Sequence, residues 1–228
     1  MQRIELDTAR GKRRVPPGQY LVGDRWPILT YGSTPQFSPE LWDFTVSGLV
    51  GNPLRFIWEE WNGLPTVEVK ADMHCVTSWS KLDNVWTGVP AKTILEMSGP
   101  KPEAKFFSVF CDGGYTTNAP VEELYEEDAL FATHHNGEPL EPGHGYPMRL
   151  VIPRLYAWKS AKWVRGIELL EHDRAGFWEN GGYHMRGDPW KENRFRDDSE
   201  RMEGGAGASM SQVMWRETLG ILAGKKSA

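Results

Sequence analysis

Cys75 stands at the end of the most regular pattern in the sequence. Apolar residues alternate with polar ones over residues 67–74, which predicts a half-buried strand. A period of two places Cys75 on the inward face of this strand and turns His74 to the opposite face. A buried thiol that precedes the polar segment 77–80 can be a structural core residue or a soft ligand for a metal.

A second cysteine and a pair of histidines are the other candidate metal ligands. A zinc or iron site could combine Cys111 and one residue of His134-His135 with His74 and Cys75. However, His74 and Cys75 are adjacent on opposite strand faces, which is a poor arrangement for chelation. We therefore expect Cys111 to be structural, His74 to be packed or hydrogen-bonded, and the histidine pair to lie at the surface.

The segments that must position these residues predict an α+β fold with a mixed, predominantly β sheet structure. Pro90 fits the start of a short helix over 91–97, and Asn136-Gly137 supplies the positive φ angles of a type I′ hairpin turn. Helical turns are expected over 56–61 and 121–125. About six strands are predicted, over 41–50, 67–75, 104–111, 130–134, 148–152 and 162–170.

The composition changes near residue 196, which predicts two parts of the chain. Residues 1–195 are expected to form one domain, with an extended leader over 1–26. Residues 196–228 begin with a Gly/Ala-rich linker and continue into a tail whose weak amphipathic pattern over 210–222 predicts a helix.

The bulk composition excludes several classes of protein. Hydrophobic residues make up 39% of the chain, which is enough for a core and excludes global disorder. The net charge of −5, without a basic cluster, argues against nucleic acid as a partner. The sequence contains no run of about 20 apolar residues, so no membrane span is predicted. The N-terminus shows no apolar signal segment, so we expect a cytoplasmic protein with reduced thiols.

Tryptophan is unusually frequent, with 11 residues. Most of them are expected to pack in the core. Some could wall a large buried cofactor, because rigid aromatic side chains form concave, mostly apolar pockets.

Several motifs together resemble the molybdopterin-binding domain of the sulfite oxidase superfamily, in particular its stand-alone, haem-free prokaryotic members. The resemblance covers roughly residues 15–195 and keeps the motifs in order. The motifs are HCVTSW (74–79), LDNVWTGVP (82–90), CDGGYTTNAP (111–120), HGYPMRLVIP (144–153), SAKWVRGIEL (160–169) and GGYHMRGDPW (181–190).

The resemblance implies a molybdenum cofactor with one pterin, whose metal is bound by Cys75. It assigns Tyr183 to the active site, near the metal. Arg149 would clamp the anionic phosphate of the pterin, and Lys162 would add a point charge. The full set of residues that it assigns to the pterin is Tyr31, Gly32, Ser33, Asp112, His144, Arg149, Ser160, Ala161 and Lys162.

The implied activity is two-electron oxygen-atom transfer on a small substrate, either a sulfite-like anion or a sulfoxide or similar molecule. Sulfite oxidases carry arginines at the positions of Tyr31 and Ser80, where they help to form an anion pocket, so their absence here argues against sulfite. The haem domain is also missing, which implies a separate protein as electron donor or acceptor. The alternative is a non-catalytic protein, or a zinc- or iron-binding protein, that retains the fold.

Overall fold

The computed structural model describes residues 2–4 and 14–196, which form two β-sheets and a few short helices. The predicted linker and tail lie outside these residues, apart from residue 196. The strands are β1 Gln2–Ile4, β2 Tyr20–Leu21, β3 Asp43–Gly48, β4 Leu54–Ile57, β5 Val67–His74, β6 Trp79–Pro90, β7 Phe106–Cys111, β8 Thr116–Pro120, β9 Leu130–His135, β10 Glu138–Pro139, β11 Arg149–Val151 and β12 Val164–Leu170. The helices are α1 Trp58–Asn62, α2 Ala91–Ser98 and α3 Phe177–Asn180, with 3-10 turns at Asp112–Gly114, Val121–Leu124 and Pro142–His144.

The two sheets have different strand orders. The first sheet runs β1-β5-β6-β9-β10, with β2 paired to β6 and β11 paired to β9. The second sheet runs β4-β3-β12-β7-β8. Parallel and antiparallel pairs occur in both sheets, so both are mixed.

The first sheet is buried on both faces, as alternate residues of β9 show. Phe131 belongs to the core between the two sheets, where it meets Phe44 of β3. Leu130 and Ala132 instead join an apolar cluster on the opposite face, which loop residues such as Tyr156 cover. This second cluster also contains Cys75, so the face away from the core between the sheets is the one that carries the candidate chemistry.

The fold class is confirmed: the sheets are mixed, strands predominate and helices are few. The predicted helix after Pro90 and the hairpin turn at Asn136-Gly137 are also confirmed, with φ of 51° and 87° at the two turn residues. The expected count of about six strands was wrong, because short strands and two longer ones were missed. One of these is β6, whose first residues were predicted to be a polar loop, and the other is β8, whose residues are mostly polar.

Candidate active site

Cys75 lies in the tight turn between β5 and β6. Its backbone N–H donates to Trp79 O at 2.8 Å, and its carbonyl accepts from Ser78 N at 3.0 Å. Its side chain joins the same apolar cluster as Val69 and Met73 of β5, which confirms the inward orientation predicted from the period of two. The turn thus fixes the thiol at the end of a buried strand.

The Cys75 thiol is buried beside polar groups of the turn. The Thr77 hydroxyl donates a hydrogen bond to Sγ at 3.2 Å. Burial raises the pKa of the thiol, and the Thr77 hydrogen bond opposes this effect. Without a metal the proton is therefore retained near neutral pH, whereas a coordinated thiol is deprotonated by the metal itself.

A cavity of about 280 Å³ opens next to Cys75, and aromatic side chains form a large part of its wall. Tyr183 packs against Trp158 and Trp178, with ring centroids 5.2 and 5.1 Å away. Burial raises the pKa of Tyr183 to about 12, so its hydroxyl keeps its proton at neutral pH. The wall also includes Met73, Val76, Trp79, Tyr115, Ala157 and Tyr31.

Two positive side chains, Arg149 and Lys162, line the same cavity. Arg149 donates to His144 O at 3.0 Å and to Ser160 O at 2.8 Å, and its buried Nε has no partner among residues 14–196. Lys162 Nζ donates to Leu29 O at 3.0 Å and Gly143 O at 2.9 Å. Burial, together with the smaller effect of the nearby Arg149 charge, lowers the pKa of Lys162 to about 7.

Residues 26–31, hereafter the covering segment, close one side of the cavity. His144 Nε2 lies 3.2 Å from Trp26 O, and the two rings stack at 3.7 Å. Lys162 binds the other end of the segment at Leu29 and Thr30. The covering segment is therefore held by two of the residues that the sequence assigned to the pterin.

Eight of the predicted site residues line this one cavity, and three do not. Gly32 and Ser33 follow the covering segment and are exposed. Asp112 pairs with Arg165 at 3.1 Å instead. The eight are Tyr31, Cys75, His144, Arg149, Ser160, Ala161, Lys162 and Tyr183.

The donor set of the cavity fits a molybdenum–pterin cofactor. Cys75 offers a sulfur ligand, and the unpartnered Nε of Arg149 together with Lys162 suits an anionic phosphate. The indole Nε1 of Trp79 is a further buried donor without a partner in the described residues, and its side chain lines the cavity. Thr77, Trp158 and Trp178 also line it and were not singled out from the sequence, because turns and the four-residue helix α3 are too short to carry a periodic signal.

The two positions that carry arginine in sulfite oxidases have a different environment here. Ser80 is fully buried, and its hydroxyl contacts His74 Nδ1 at 2.8 Å and Gln19 Oε1 at 3.4 Å rather than lining the cavity. Tyr31 is 64% exposed at the cavity mouth, where its ring packs on Phe177 at 4.7 Å. Neither position brings a cation to the thiol.

The structure gives no support to a zinc or iron site. Within the described part of the chain, no three His, Cys, Asp or Glu side chains are grouped so that they could hold a metal ion. Cys75 and Cys111 belong to different apolar clusters. His74 is buried and hydrogen-bonded to Ser80, as expected for a packed histidine.

The predicted surface position of the histidine pair was wrong. Both side chains are half-buried, and His135 packs against Trp26 and Trp86 with centroids 4.3 and 4.7 Å away. Its Nε2 lies 2.9 Å from Asn84 Oδ1. The covering segment and β6 bury His135, and a contact so distant in sequence leaves no local signal.

This burial predicts a pH dependence of stability. Burial lowers the pKa of His135 from 6.5 to about 4, so the unfolded chain binds more protons between these pH values. Stability should therefore be lost as the pH falls through this window, and His74, with the same direction of shift, should contribute too. In His135→Gln, the fall in the urea midpoint between pH 7 and pH 5 should be smaller than in the wild type. His172→Gln, at an exposed site, is the control, and an unchanged fall in His135→Gln would contradict the prediction.

None of the helices in the described residues is both long and apolar enough to cross a membrane.

Comparison with known proteins finds relatives that are named as an oxidoreductase, a reductase subunit and an oxidase. The uncharacterized oxidoreductase YuiH of Bacillus subtilis is 48% identical over 186 residues, which cover 81% of this chain and 93% of that protein. A putative protein-methionine-sulfoxide reductase subunit, YedZ1, of Azospira oryzae is 28% identical, over 62% of this chain and 54% of its own length. Sulfite oxidase of Arabidopsis thaliana is 29% identical, over 62% and 45%. The chain thus spans about half the length of the last two relatives.

The fold and a family model agree with these relatives. The crystal structure of the sulfane dehydrogenase SoxCD from Paracoccus pantotrophus matches with a TM-score of 0.56 and 25% identity, over 61% of this chain and 40% of that one. The model of the oxidoreductase molybdopterin binding domain matches residues 31–178. The expected resemblance to the sulfite oxidase superfamily is confirmed, and this chain belongs to the family of oxidoreductase molybdopterin-binding domains.

Proposed function

We propose that this chain catalyses two-electron oxygen-atom transfer on a small neutral sulfur compound of the sulfoxide or thioether class. The observation that carries the proposal is the group of aromatic side chains that line the cavity beside the Cys75 thiol. At the two positions where sulfite oxidases have arginine, this chain has Tyr31 and Ser80, so neither position adds a cation to the cavity. The relative named as a methionine-sulfoxide reductase subunit supports the same substrate class.

Cys75 is proposed as the protein ligand of molybdenum in a cofactor with one pterin. When bound, this cofactor supplies the two-electron redox change that oxygen-atom transfer requires. Arg149, Lys162, His144, Ser160 and Ala161 would hold its pterin and phosphate, because they line the same cavity as the thiol. The predicted contacts of Gly32, Ser33 and Asp112 with the cofactor would require these residues to approach the cavity from its edge.

The walls of the cavity determine which substrates can approach. Trp158, Trp178 and Tyr183 present apolar faces, which exclude water and favour a neutral molecule with apolar substituents. A sulfite ion would lose its hydration at these apolar faces, and the positions of Tyr31 and Ser80, where sulfite oxidases have arginine, would supply no cation in return. The Tyr183 hydroxyl can donate a hydrogen bond to the sulfoxide oxygen, since it keeps its proton.

The reaction also requires an electron partner. Reduction of a sulfoxide consumes two electrons and two protons and yields a thioether and water. Cys75 and Cys111 are both free thiols and belong to separate clusters, so they do not form a disulfide couple that could supply the electrons. We therefore propose that a separate protein donates or accepts them. The cytoplasmic location stays a prediction.

Turnover tests this proposal directly. Protein produced in a molybdopterin-competent host should reduce methyl phenyl sulfoxide with a reduced viologen dye at a kcat/KM at least tenfold above that for sulfite oxidation. In Tyr183→Phe, kcat should fall roughly 100-fold with unchanged molybdenum content, because a hydrogen-bond donor that acts on the substrate is lost. Tyr125→Phe, at an exposed site, is the control.

Two results would contradict parts of the proposal. Faster turnover of sulfite would show that the substrate is an oxyanion. A fully loaded protein without turnover of either compound would favour a non-catalytic binding protein that has kept the fold.

A further inference from the structure

A second cavity, of about 420 Å³, adjoins the first one. Trp26, Ile28 and His144 line both cavities, so the covering segment and the His144 ring separate them. The remaining wall consists of Asp24, Lys81, His135, Asn136, Glu138, Pro139, Leu140 and Glu141. None of these residues was assigned to the cofactor or the substrate from the sequence.

Lys81 is the unusual residue of this wall. It lies on β6 opposite Met73 of β5, and it is only 7% exposed. Within residues 14–196, its ammonium group has neither a hydrogen bond nor a carboxylate within 4.0 Å. The other lysines of this region differ, since Lys70 pairs with Asp83 at 3.0 Å and the buried Lys159 pairs with Glu179 at 2.6 Å. Because the side chain lines the cavity and its ammonium group has no counterion among these residues, Lys81 is suited to an anion from outside the chain.

The surroundings of Lys81 leave its charge uncompensated. Glu141 is engaged by His144 Nδ1 at 3.2 Å, and Asp24 and Glu138 are exposed at the rim. Asn136 uses its amide oxygen to accept from Val85 N, which leaves its NH2 group as a further donor. The cavity wall therefore offers the Lys81 ammonium group and the Asn136 amide as donors, whereas its three carboxylates, at residues 24, 138 and 141, are exposed.

The cations of the first cavity already donate most of their hydrogen bonds to other residues of the chain. Lys162 directs its three N–H bonds to Leu29 O, Thr30 Oγ1 and Gly143 O. Arg149 uses two of its nitrogens on the carbonyls of His144 and Ser160 and keeps Nε free. Of the buried lysines that line the two cavities, Lys81 is the one with all its donors available.

We propose that Lys81 anchors an oxyanion subsite that binds a phosphate group next to the cofactor cavity. Two sources share this chemistry. One is the phosphate of the pterin cofactor itself, which would then reach past Trp26 to Lys81 instead of ending at Arg149 and Lys162, and in that case the inference rests on the proposed function. The other is a separate phosphate compound that binds beside the cofactor.

The test compares Lys81→Met with Lys70→Met, which removes a partly exposed lysine of the neighbouring strand. Binding of inorganic phosphate to the full chain is measured by calorimetry, with and without cofactor, and pterin and molybdenum contents are measured in the loaded protein. Lys81→Arg, which keeps the charge, should retain binding. Lys81→Arg thus shows whether the positive charge at this position is what binding requires. Circular dichroism shows whether each variant is folded.

Two outcomes support the proposal and identify the source. If the phosphate belongs to the cofactor, the cofactor-free wild type binds phosphate, the loaded wild type does not, and Lys81→Met binds at least tenfold more weakly and retains less pterin. If the source is separate, the loaded wild type binds phosphate, and Lys81→Met loses this binding with unchanged pterin content.

Equal phosphate binding and equal pterin content in Lys81→Met and the wild type would overturn the proposal. The same holds if the wild type binds no phosphate in either form and Lys81→Met keeps its pterin. These outcomes are distinguishable from failure of the proposed function, because phosphate binding to the cofactor-free chain requires neither molybdenum nor Cys75.

Discussion

Cys75→Ala should fold normally, contain almost no molybdenum and lose oxygen-atom transfer activity by more than about 100-fold. The sulfur is the proposed protein ligand, and even changes beyond the ligands of a metal commonly reduce affinity or activity 10- to 100-fold. Cys75 is buried in an apolar cluster, so loss of its sulfur leaves only a small cavity and should lower the free energy of unfolding by about 1 kcal/mol. Metal analysis, pterin fluorescence and urea unfolding of the same preparation separate these effects.

Cys111→Ala is the matched control for this experiment. Cys111 is also buried and free, but it lies in the core between the two sheets. It should keep full molybdenum content and activity. Stoichiometric molybdenum in Cys75→Ala, or its absence from the wild type, would refute the proposed metal centre.

Glu179→Ala should destabilise the protein by about 3–5 kcal/mol, the usual effect of removing one partner of a buried ion pair. Glu179 and Lys159 have fully buried side chains, and their charged atoms are 2.6 Å apart. Glu179 Oε1 also accepts from Trp158 Nε1 at 2.8 Å and from Thr117 Oγ1 at 2.9 Å. The substitution therefore removes an acceptor shared by three donors, Lys159 Nζ, Trp158 Nε1 and Thr117 Oγ1. It also removes the hydrogen bond that holds the indole of Trp158, which lines the cavity.

Urea unfolding at pH 7 measures this effect, with Glu96→Ala as the control. Glu96 pairs with Lys92 at 3.7 Å on the exposed face of α2, and such a pair contributes less than about 0.5 kcal/mol. The double variant Lys159→Met/Glu179→Leu should recover much of the stability, since no unpaired charge remains. A loss below about 1 kcal/mol in Glu179→Ala would show that this buried pair does not hold α3 and Trp158 in place.

The position of Cys75 could be predicted from the sequence because it follows from a local period of two. The alternation over 67–73 is independent of the rest of the chain, and the structure places the thiol on the face that it predicts. The hairpin turn at residues 136–137 was predictable for a similar reason, since its φ angles depend on two adjacent residues. Both features are determined within a few residues of chain.

The environments of Lys81 and His135 could not be predicted in this way. β6 is buried on both faces, so its residues lack the simple alternation of a half-buried strand, and its polar start resembles a loop. His135 is buried by Trp26, more than 100 residues away in the chain. The packing of one loop over one strand determines both environments, and it leaves no pattern in either segment.

The covering segment also affects how a cofactor can enter and leave. Its two ends are held by His144, which contacts Trp26, and by Lys162, which contacts Leu29. A cofactor that leaves past this segment can do so only after these contacts break, a local unfolding event whose rate is independent of the affinity of the site. The residence time of the cofactor should therefore follow the opening of residues 26–31, and insertion during folding would be faster than exchange into the finished protein.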